Sequence, residues 1–198
     1  MIRIDLEQII RWIPESARVL DLGCGDGAFL ATLRDRLQVQ GTGIEIDPDN
    51  LEEAVARGLD VIQQDIDAGL CNFASQSYDV VVMAHALQVL ANPDVVLKRM
   101  VDIGQETIVT FPNFAHWRCR FYLAVKGRMP VSRILPYSWY DTPNIHFCTV
   151  KDFEALCASL NIQIIDKDMV GASGRSWLAT LWPNLFAVTA IYRLRQRR

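Results

Sequence analysis

A glycine-rich turn stands between an apolar stretch and a stretch of helix-forming residues. Residues 18–22 are RVLDL, residues 23–27 are GCGDG and residues 28–33 are AFLATL. This order predicts a strand, a turn and a helix, the opening of a βαβ unit. Glycines in such a turn let a ligand approach the backbone closely, and the helix amides face that ligand. The turn is therefore the candidate cofactor site, with Gly23, Cys24, Gly25 and Gly27 as binding residues.

Two ligand classes fit this turn. As GxGxxA, residues 23–28 match the dinucleotide fingerprint, in which an acid further along the chain binds a ribose, and Glu45 follows Gly25 by 20 positions. Asp21 favours the other class, because a carboxylate at the end of the first strand repels a pyrophosphate and attracts a cation. S-adenosylmethionine carries a sulfonium and an ammonium and no phosphate, so it suits an acidic glycine turn.

Further along the chain, two acids are placed to hold the rest of such a ligand. Glu45 and Ile46 end the second predicted strand, and Glu45 can accept both ribose hydroxyls. Asp65, followed by Ile66, comes just after the third and can accept from an adenine amine. Simpler roles remain open, since Asp21 could cap the amides of the turn and Asp65 could be an ordinary loop acid.

Strands and helices alternate through the first half of the chain. Strands are predicted at 18–22, 41–46, 61–64, 78–83 and 107–111, and helices at 2–13, 28–33, 49–57 and 93–101 with Asn92 as a cap. A capped helix starts at Thr149, and residues 162–165 and 185–193 are expected to form an antiparallel edge pair. The fold class is α/β, a Rossmann-like, doubly wound, mostly parallel sheet of seven strands. We expect a single domain over 1–198.

Residues 112–148 interrupt the alternation. They contain aromatic side chains, four prolines and five basic side chains, with no acid before Asp141. So long a connection is typical of a lid or a partner-binding segment. The candidate substrate or partner residues are Asn113, His116, Trp117, Tyr137, Trp139, Tyr140 and His146.

Composition restricts the class of protein. The chain has 198 residues, 51% hydrophobic and 22% charged, which suits a globular domain and argues against disorder. No stretch is long and apolar enough for a membrane span, and the start lacks a signal-peptide pattern, so we expect a cytoplasmic protein. Five cysteines without ligand spacing predict reduced thiols and no metal site.

Charge is divided unevenly. Residues 1–111 carry a net charge of −10 and residues 112–198 a net charge of +7. The basic half raises a nucleic-acid role, but the whole chain is acidic, with a pI near 5.6, and no recognised nucleic-acid module is visible. We therefore expect no nucleic-acid partner, and a ligand site beside a separate basic face.

Two sets of motifs carry a family resemblance. VLDLGCGDG, GIEID, a strand ending at Asp65 and SYDVVV together resemble the class I S-adenosylmethionine-dependent methyltransferases over residues 15–111. In the basic half, FPNFAHWR at 111–118, GRMPV at 127–131 and PYSWYDTPNIH at 136–146 resemble the MetW family of methionine biosynthesis proteins.

The resemblance implies two functional hypotheses. The first is an accessory protein that binds S-adenosylmethionine or S-adenosylhomocysteine and acts with a homoserine O-acyltransferase. The second is a small-molecule methyltransferase, whose reaction needs alignment and exclusion of water more than a fixed catalytic residue. If the acceptor must lose a proton, His85 is the first candidate base, followed by His116 and His146. The sequence does not indicate an oligomeric state.

Overall fold

Strands form where the sequence is rich in β-branched and apolar residues. The computed structural model describes residues 4–132, 135, 137–171 and 174–197, and this part of the chain contains eight strands. They are β1 (Arg18–Leu22), β2 (Gln40–Glu45), β3 (Asp60–Gln63), β4 (Tyr78–Ala84), β5 (Gly104–Pro112), β6 (Ile162–Gly171), β7 (Gly174–Arg175) and β8 (Thr189–Gln196).

Helices fill the connections between most of these strands. They are α1 (Ile4–Ile10), α2 (Ala28–Leu37), α3 (Pro48–Ala56), α4 (Pro93–Ile103), α5 (Trp117–Lys126), α6 (Val150–Ser159), α7 (Trp177–Leu181) and α8 (Pro183–Phe186). Among these described helices, none combines the length and the apolar character that crossing a bilayer requires.

The strands form one mixed sheet in the order β3-β2-β1-β4-β5-β8-β6-β7. From β3 to β5 all neighbours are parallel, whereas β8 runs antiparallel to both β5 and β6. The order reverses between β1 and β4, because the chain leaves β1 toward β2 on one side and returns to β4 on the other. In doubly wound sheets, ligands bind at the carboxyl ends of the strands at such a point.

Apolar side chains cover both faces of the sheet. Leu20 and Leu22 belong to a core that includes side chains of α4 and α6, and Val19 belongs to a second core with side chains of α1 and α2. Because successive side chains of a strand point to opposite faces, Asp21 shares the face of Val19. Asp21 is also the fourth of the five residues of β1, so this acid lies within the strand rather than beyond its end.

The α/β class and the seven predicted strands are confirmed, with two differences. The two-residue strand β7 pairs with the end of β6 and was not predicted. The last strand begins at Thr189 rather than at residue 185, because Pro183 starts the short helix α8. Proline is favoured in the first turn of a helix and cannot donate to a strand ladder.

Two helix caps were predicted, and the structure confirms one of them. Thr149 and Asp152 form a reciprocal capping box at the start of α6. Asn92 precedes α4, but its side chain makes no capping hydrogen bond. In the segment 112–148, the helix α5 was not predicted.

Candidate functional site

Asp21 lies at the centre of the candidate site. It pairs with Gly43 of β2 on one side and Val82 of β4 on the other, and it is only 2% exposed. Burial, followed by repulsion from the Glu45 carboxylate, raises the pKa of Asp21 to about 7. Within the described residues, no hydrogen bond to this carboxyl offsets the cost of burial. The position therefore favours a cation that can approach from the carboxyl edge of the sheet.

The glycine turn follows directly after Asp21. The amides of Gly23 and Cys24 donate to the Ile44 carbonyl at 2.9 and 3.0 Å, which fixes the turn against β2. Gly23 has φ +73°, and a Cβ atom there would lie 3.1 Å from the Cβ of Ala86. Gly25 has φ +56°, and a Cβ atom there would have no heavy atom within 4 Å. Gly23 therefore permits close packing, whereas Gly25 borders open space in which a ligand can approach the backbone.

Glu45, the last residue of β2, is held by backbone amides. Its Oε2 accepts from Gly25 at 2.8 Å, and its Oε1 accepts from Ile46 at 2.8 Å and from Asp47 at 2.9 Å. These donors stabilise the charged carboxylate and fix its orientation toward the turn. A carboxylate has about four acceptor positions, so one remains for a ligand hydroxyl.

The other two polar side chains of the turn carry little free charge. Asp26 forms an ion pair with Arg57, in which Oδ2 and Nη2 are 2.6 Å apart, and the Arg57 Nε also donates to the Asp26 carbonyl. Burial, with the nearby carboxylates of Asp21 and Glu45, raises the pKa of Cys24 to about 12, so this free cysteine stays a neutral thiol. In the part of the chain that the structure describes, Asp21 is therefore the buried acid beside the turn that lacks a counter-charge.

The loop after β3 provides the next predicted residues. Asp65 is exposed, and its Oδ1 accepts from the Asp67 amide at 2.9 Å, whereas Ile66 is buried in the core. Ile46, beside Glu45, is largely exposed. Asp65 and Ile46 are therefore accessible from solvent, whereas Ile66 packs in the core and anchors the loop.

His85, the candidate base, immediately follows β4. It has φ +60°, a left-handed conformation that is unusual for a residue with a side chain, and its amide donates to the carbonyl of Thr110 at 3.1 Å. The next residue, Ala86, is the one that packs against Gly23. The structure thus brings His85 to the same sheet edge as the glycine turn.

Asn113 and His116 are buried and connect structural elements. The Asn113 side-chain amide donates to the carbonyl of Ala187 at 2.9 Å, and its Oδ1 accepts from the Ala115 amide at 3.1 Å. His116 caps α5, with its Nδ1 accepting from the Arg118 amide at 3.4 Å. Burial, and then the charge of Arg118, lower the pKa of His116, which favours the neutral ring that can act as an acceptor.

The remaining predicted partner residues face solvent. Trp117, Tyr137, Trp139 and Tyr140 are exposed, and the rings of Trp139 and Tyr140 meet edge to face with centroids 5.7 Å apart. His146 is also exposed, and its amide donates to the Gln88 carbonyl at 3.1 Å. The predicted set therefore divides into a buried pair and an exposed group.

The family of the chain is decided by comparison with known proteins. A family model described as methionine biosynthesis protein MetW matches residues 3–194. This chain belongs to the MetW family. The resemblance first seen at residues 111–146 is thereby confirmed.

The bifunctional methionine biosynthesis protein MetXA/MetW of Rhodopirellula baltica is similar to this chain. The two are 35% identical over 177 residues, which cover 85% of the MetW chain and 28% of that relative. The chain spans only between about a quarter and a half of the length of the curated relatives that it matches.

Solved structures show that the MetW chain has the class I methyltransferase fold. An S-adenosylmethionine-dependent methyltransferase from Mesorhizobium loti is 15% identical and superimposes with a TM-score of 0.71, covering 98% of each chain. Magnesium protoporphyrin IX methyltransferase from Synechocystis, solved with bound S-adenosylhomocysteine, is 13% identical with a TM-score of 0.67, covering 97% of the MetW chain and 82% of its own. The fold expectation is therefore confirmed.

The sequence did not indicate the role of Asp67, an acid in the loop after β3 of the candidate site. Asp67 accepts from the amides of Ala91 at 2.8 Å and Asn92 at 3.1 Å, so it joins the loop after β3 to the loop after β4. No local pattern indicates this role, since the donors lie 24 and 25 residues away in sequence. Asp67 therefore joins the two loops that follow β3 and β4 at the carboxyl edge of the sheet.

Proposed function

We propose that this chain binds S-adenosylmethionine or S-adenosylhomocysteine at the glycine turn. The observation that carries the proposal is Asp21, a buried carboxyl with a raised pKa that meets no counter-charge among the described residues, beside the open backbone of Gly25. A ligand ammonium or sulfonium supplies the missing positive charge. Glu45 accepts from the ribose, Ile46 gives apolar contact, and Asp65 accepts from the adenine amine.

The same electrostatics argue against a dinucleotide. A pyrophosphate at this turn would meet the negative potential of Asp21 and Glu45, and the nearby Arg57 is already paired with Asp26. The fold neighbour from Synechocystis, solved with S-adenosylhomocysteine, is in line with the phosphate-free class.

Calorimetric titration tests the ligand proposal. We expect S-adenosylmethionine or S-adenosylhomocysteine to bind and NADH to give no heat of binding. Asp21→Asn and Glu45→Gln are expected to weaken binding at least tenfold, because each removes a charge that faces the ligand. Asp35→Asn and Glu53→Gln are the matched controls, since both side chains are exposed on helices, and they should bind like the wild type. Binding of NADH alone would overturn the proposal.

We also propose that the chain acts with a homoserine O-acyltransferase in methionine biosynthesis. The support is the bifunctional relative from Rhodopirellula baltica, whose name joins MetXA and MetW in one protein. Fusion of two modules keeps them at a high effective concentration, which is useful for partners that must meet. Ligand-dependent regulation further requires that free and docked states bind the ligand with different affinities.

Co-purification with the acyltransferase, followed by acyltransferase assays with and without this chain, tests the partner. We expect a complex and a change in acyltransferase activity that depends on the added S-adenosyl ligand. If the two proteins neither associate nor influence each other, the accessory role fails even where the ligand binds.

Methyl transfer to a small molecule is the second candidate function. It is favoured by the position of His85 in the chain, since this residue directly follows β4 and precedes Ala86, which lies next to Gly23 of the glycine turn. The test is formation of S-adenosylhomocysteine from S-adenosylmethionine with metabolites of the homoserine pathway. His85→Gln should lower the rate without changing ligand affinity, whereas no product across the panel counts against catalysis.

A further inference from the structure

We propose that α5 and α7 together form a docking surface for an apolar groove with an acidic rim on the partner acyltransferase. This inference rests on the proposed function, and it adds the surface and the chemistry of its occupant. We name the surface the aromatic face. Its six residues are Trp117, Phe121, Val125, Trp177, Leu181 and Trp182, and all of them are exposed.

The spacing of these residues gives each helix a solvent-facing apolar stripe. Trp117, Phe121 and Val125 follow one another at four-residue intervals along α5, as do Trp177 and Leu181 along α7. Residues four apart lie on the same side of a helix. Amphipathic helices that dock into grooves use anchors with this spacing.

The helix α5 lacks the packing that normally stabilises so short a helix. It has ten residues, of which only Cys119 is buried. Isolated helices of this length are marginal in water, and most helix stability in proteins comes from burying an apolar face. Exposed apolar patches of this kind mark interaction sites on folded proteins. A partner that covers the stripe supplies the missing burial.

The helix α5 is linked to α8, which directly follows α7, at one edge of the sheet. Within the segment after β5, the Arg120 Nε donates to the Ala115 carbonyl at 2.6 Å, and its Nη2 reaches the Asn184 carbonyl in α8 at 3.3 Å. Pro112, at the end of β5, pairs with Thr189, at the start of β8, so the segments that carry α5 and α7 enter and leave the sheet side by side. The aromatic face therefore lies at the carboxyl edge of β5, the same edge as the glycine turn.

Charge identifies the kind of partner. Residues 112–140 contain basic side chains and no acid, and the guanidinium of Arg118 lies 5.4 Å from the centre of the Trp117 ring. Such a surface prefers an apolar groove with carboxylates around it, and the carboxylates would also steer the approach. A symmetric pair of identical faces would bring the basic groups of both copies together, so a second copy is disfavoured.

Matched valine substitutions test the docking surface. Val125 on α5 is 60% exposed, and Val55 on α3 and Val95 on α4 are 57% and 62% exposed. Each is changed to Asp, and affinity for the purified homoserine O-acyltransferase is measured by calorimetry. We expect Val125→Asp and Phe121→Asp to weaken binding at least tenfold, and Val55→Asp and Val95→Asp to bind within twofold of the wild type. Trp177→Ser should weaken binding as well, because α7 belongs to the same face.

Salt and folding controls complete the experiment. Wild-type affinity should fall as salt rises, and Lys126→Glu should reduce both the affinity and its salt dependence. Circular dichroism and S-adenosylhomocysteine titration of each variant confirm that the fold and the ligand site are intact. If the wild type binds the acyltransferase and the variants of α5 and α7 bind equally well, the surface is wrong while the proposed function stands.

Two other outcomes contradict the inference in distinguishable ways. If the wild type fails to bind the acyltransferase, the partner part of the proposed function fails together with the surface. If the wild type is a dimer by sedimentation and Val125→Asp makes it a monomer, the aromatic face binds a second copy of this chain. The assignment of the acyltransferase as its occupant is then wrong.

Discussion

Asp21 and Glu45 stand close enough at the carboxyl edge of the sheet for their charges to repel, yet only Glu45 is supplied with donors. Three backbone amides hold the Glu45 carboxylate, whereas the Asp21 carboxyl is buried and its pKa is raised to about 7. The asymmetry leaves one carboxylate whose orientation is fixed by backbone donors and one buried carboxyl whose charged form a bound cation would stabilise.

The first prediction concerns the stability of the ligand-free protein. The pKa of Asp21 is about 7 in the folded state, above its ordinary value of 3.8, so the folded protein binds more protons between these values. Its contribution to stability is therefore present at low pH and is lost as pH rises through about 7, with a slope of up to about 1.4 kcal/mol per pH unit. Asp21→Asn should raise the free energy of unfolding relative to the wild type at pH 8 more than at pH 5.

Urea denaturation at the two pH values measures this difference, with Asp35→Asn as the exposed control. An Asp21→Asn effect of the same size at pH 5 and pH 8 would show that Asp21 titrates normally.

The second prediction concerns the pH dependence of ligand binding. Because a cationic ligand favours ionised Asp21, binding below pH 7 must release a proton from this carboxyl. Affinity for S-adenosylmethionine should rise as pH increases from 6 to 7, by up to about tenfold per unit, and level off above pH 7. Calorimetry in two buffers with different ionisation heats measures the proton released. In Asp21→Asn both the proton release and the rise should vanish, and their persistence would assign them to another group.

The third prediction separates the glycines of the turn. At Gly27, with φ +73°, a Cβ atom would clash with the Leu59 Cδ1 and lie 3.0 Å from the Ala54 Cβ. At Gly25 the space is open, so Gly25→Ala meets only the left-handed conformation, which costs about 1–2 kcal/mol. Gly27→Ala adds overpacking of about 1–3 kcal/mol.

Thermal or urea unfolding should therefore show that Gly27→Ala is the less stable variant. Ligand titration should show the reverse order. Gly25→Ala should lose more ligand affinity than Gly27→Ala relative to its loss of folding stability, because its methyl group projects into the space that a ligand would occupy. Equal losses of stability in the two variants would contradict the assigned packing.

What could be predicted from the sequence is what neighbouring residues determine. The strand, turn and helix that position Asp21 and Gly25 are continuous in the chain, so their order and residue types indicated the fold and placed the candidate residues at one edge of the sheet. The Thr149 capping box is local in the same way. By contrast, Asn113 bonds to the Ala187 carbonyl 74 residues later, and no local pattern indicates such a partner.

The helix α5 was missed for a different physical reason. Helix prediction relies on apolar residues that face a core, but the stripe of Trp117, Phe121 and Val125 faces solvent and only Cys119 is buried. His116 is also an uncommon cap, since Ser, Thr, Asp and Asn are the usual ones. The pattern in this segment therefore suits a surface for another protein more than it suits the protein's own core.

The last prediction tests His116 as the cap of α5. Its pKa is lowered by burial and by Arg118, so between the folded pKa and the ordinary value of 6.5 the unfolded chain binds more protons. The stabilising contribution is then present above pH 6.5 and is lost as pH falls through the folded pKa, when Nδ1 is protonated and can no longer accept from the Arg118 amide. His116→Ala should lower the free energy of unfolding by about 1 kcal/mol at pH 7.5 and by less in acid.

His116→Asn keeps a capping acceptor and should remove the pH dependence. Hydrogen exchange at the Arg118 and Cys119 amides measures the opening of α5 directly, and unchanged exchange in His116→Ala would show that the cap does not hold the helix.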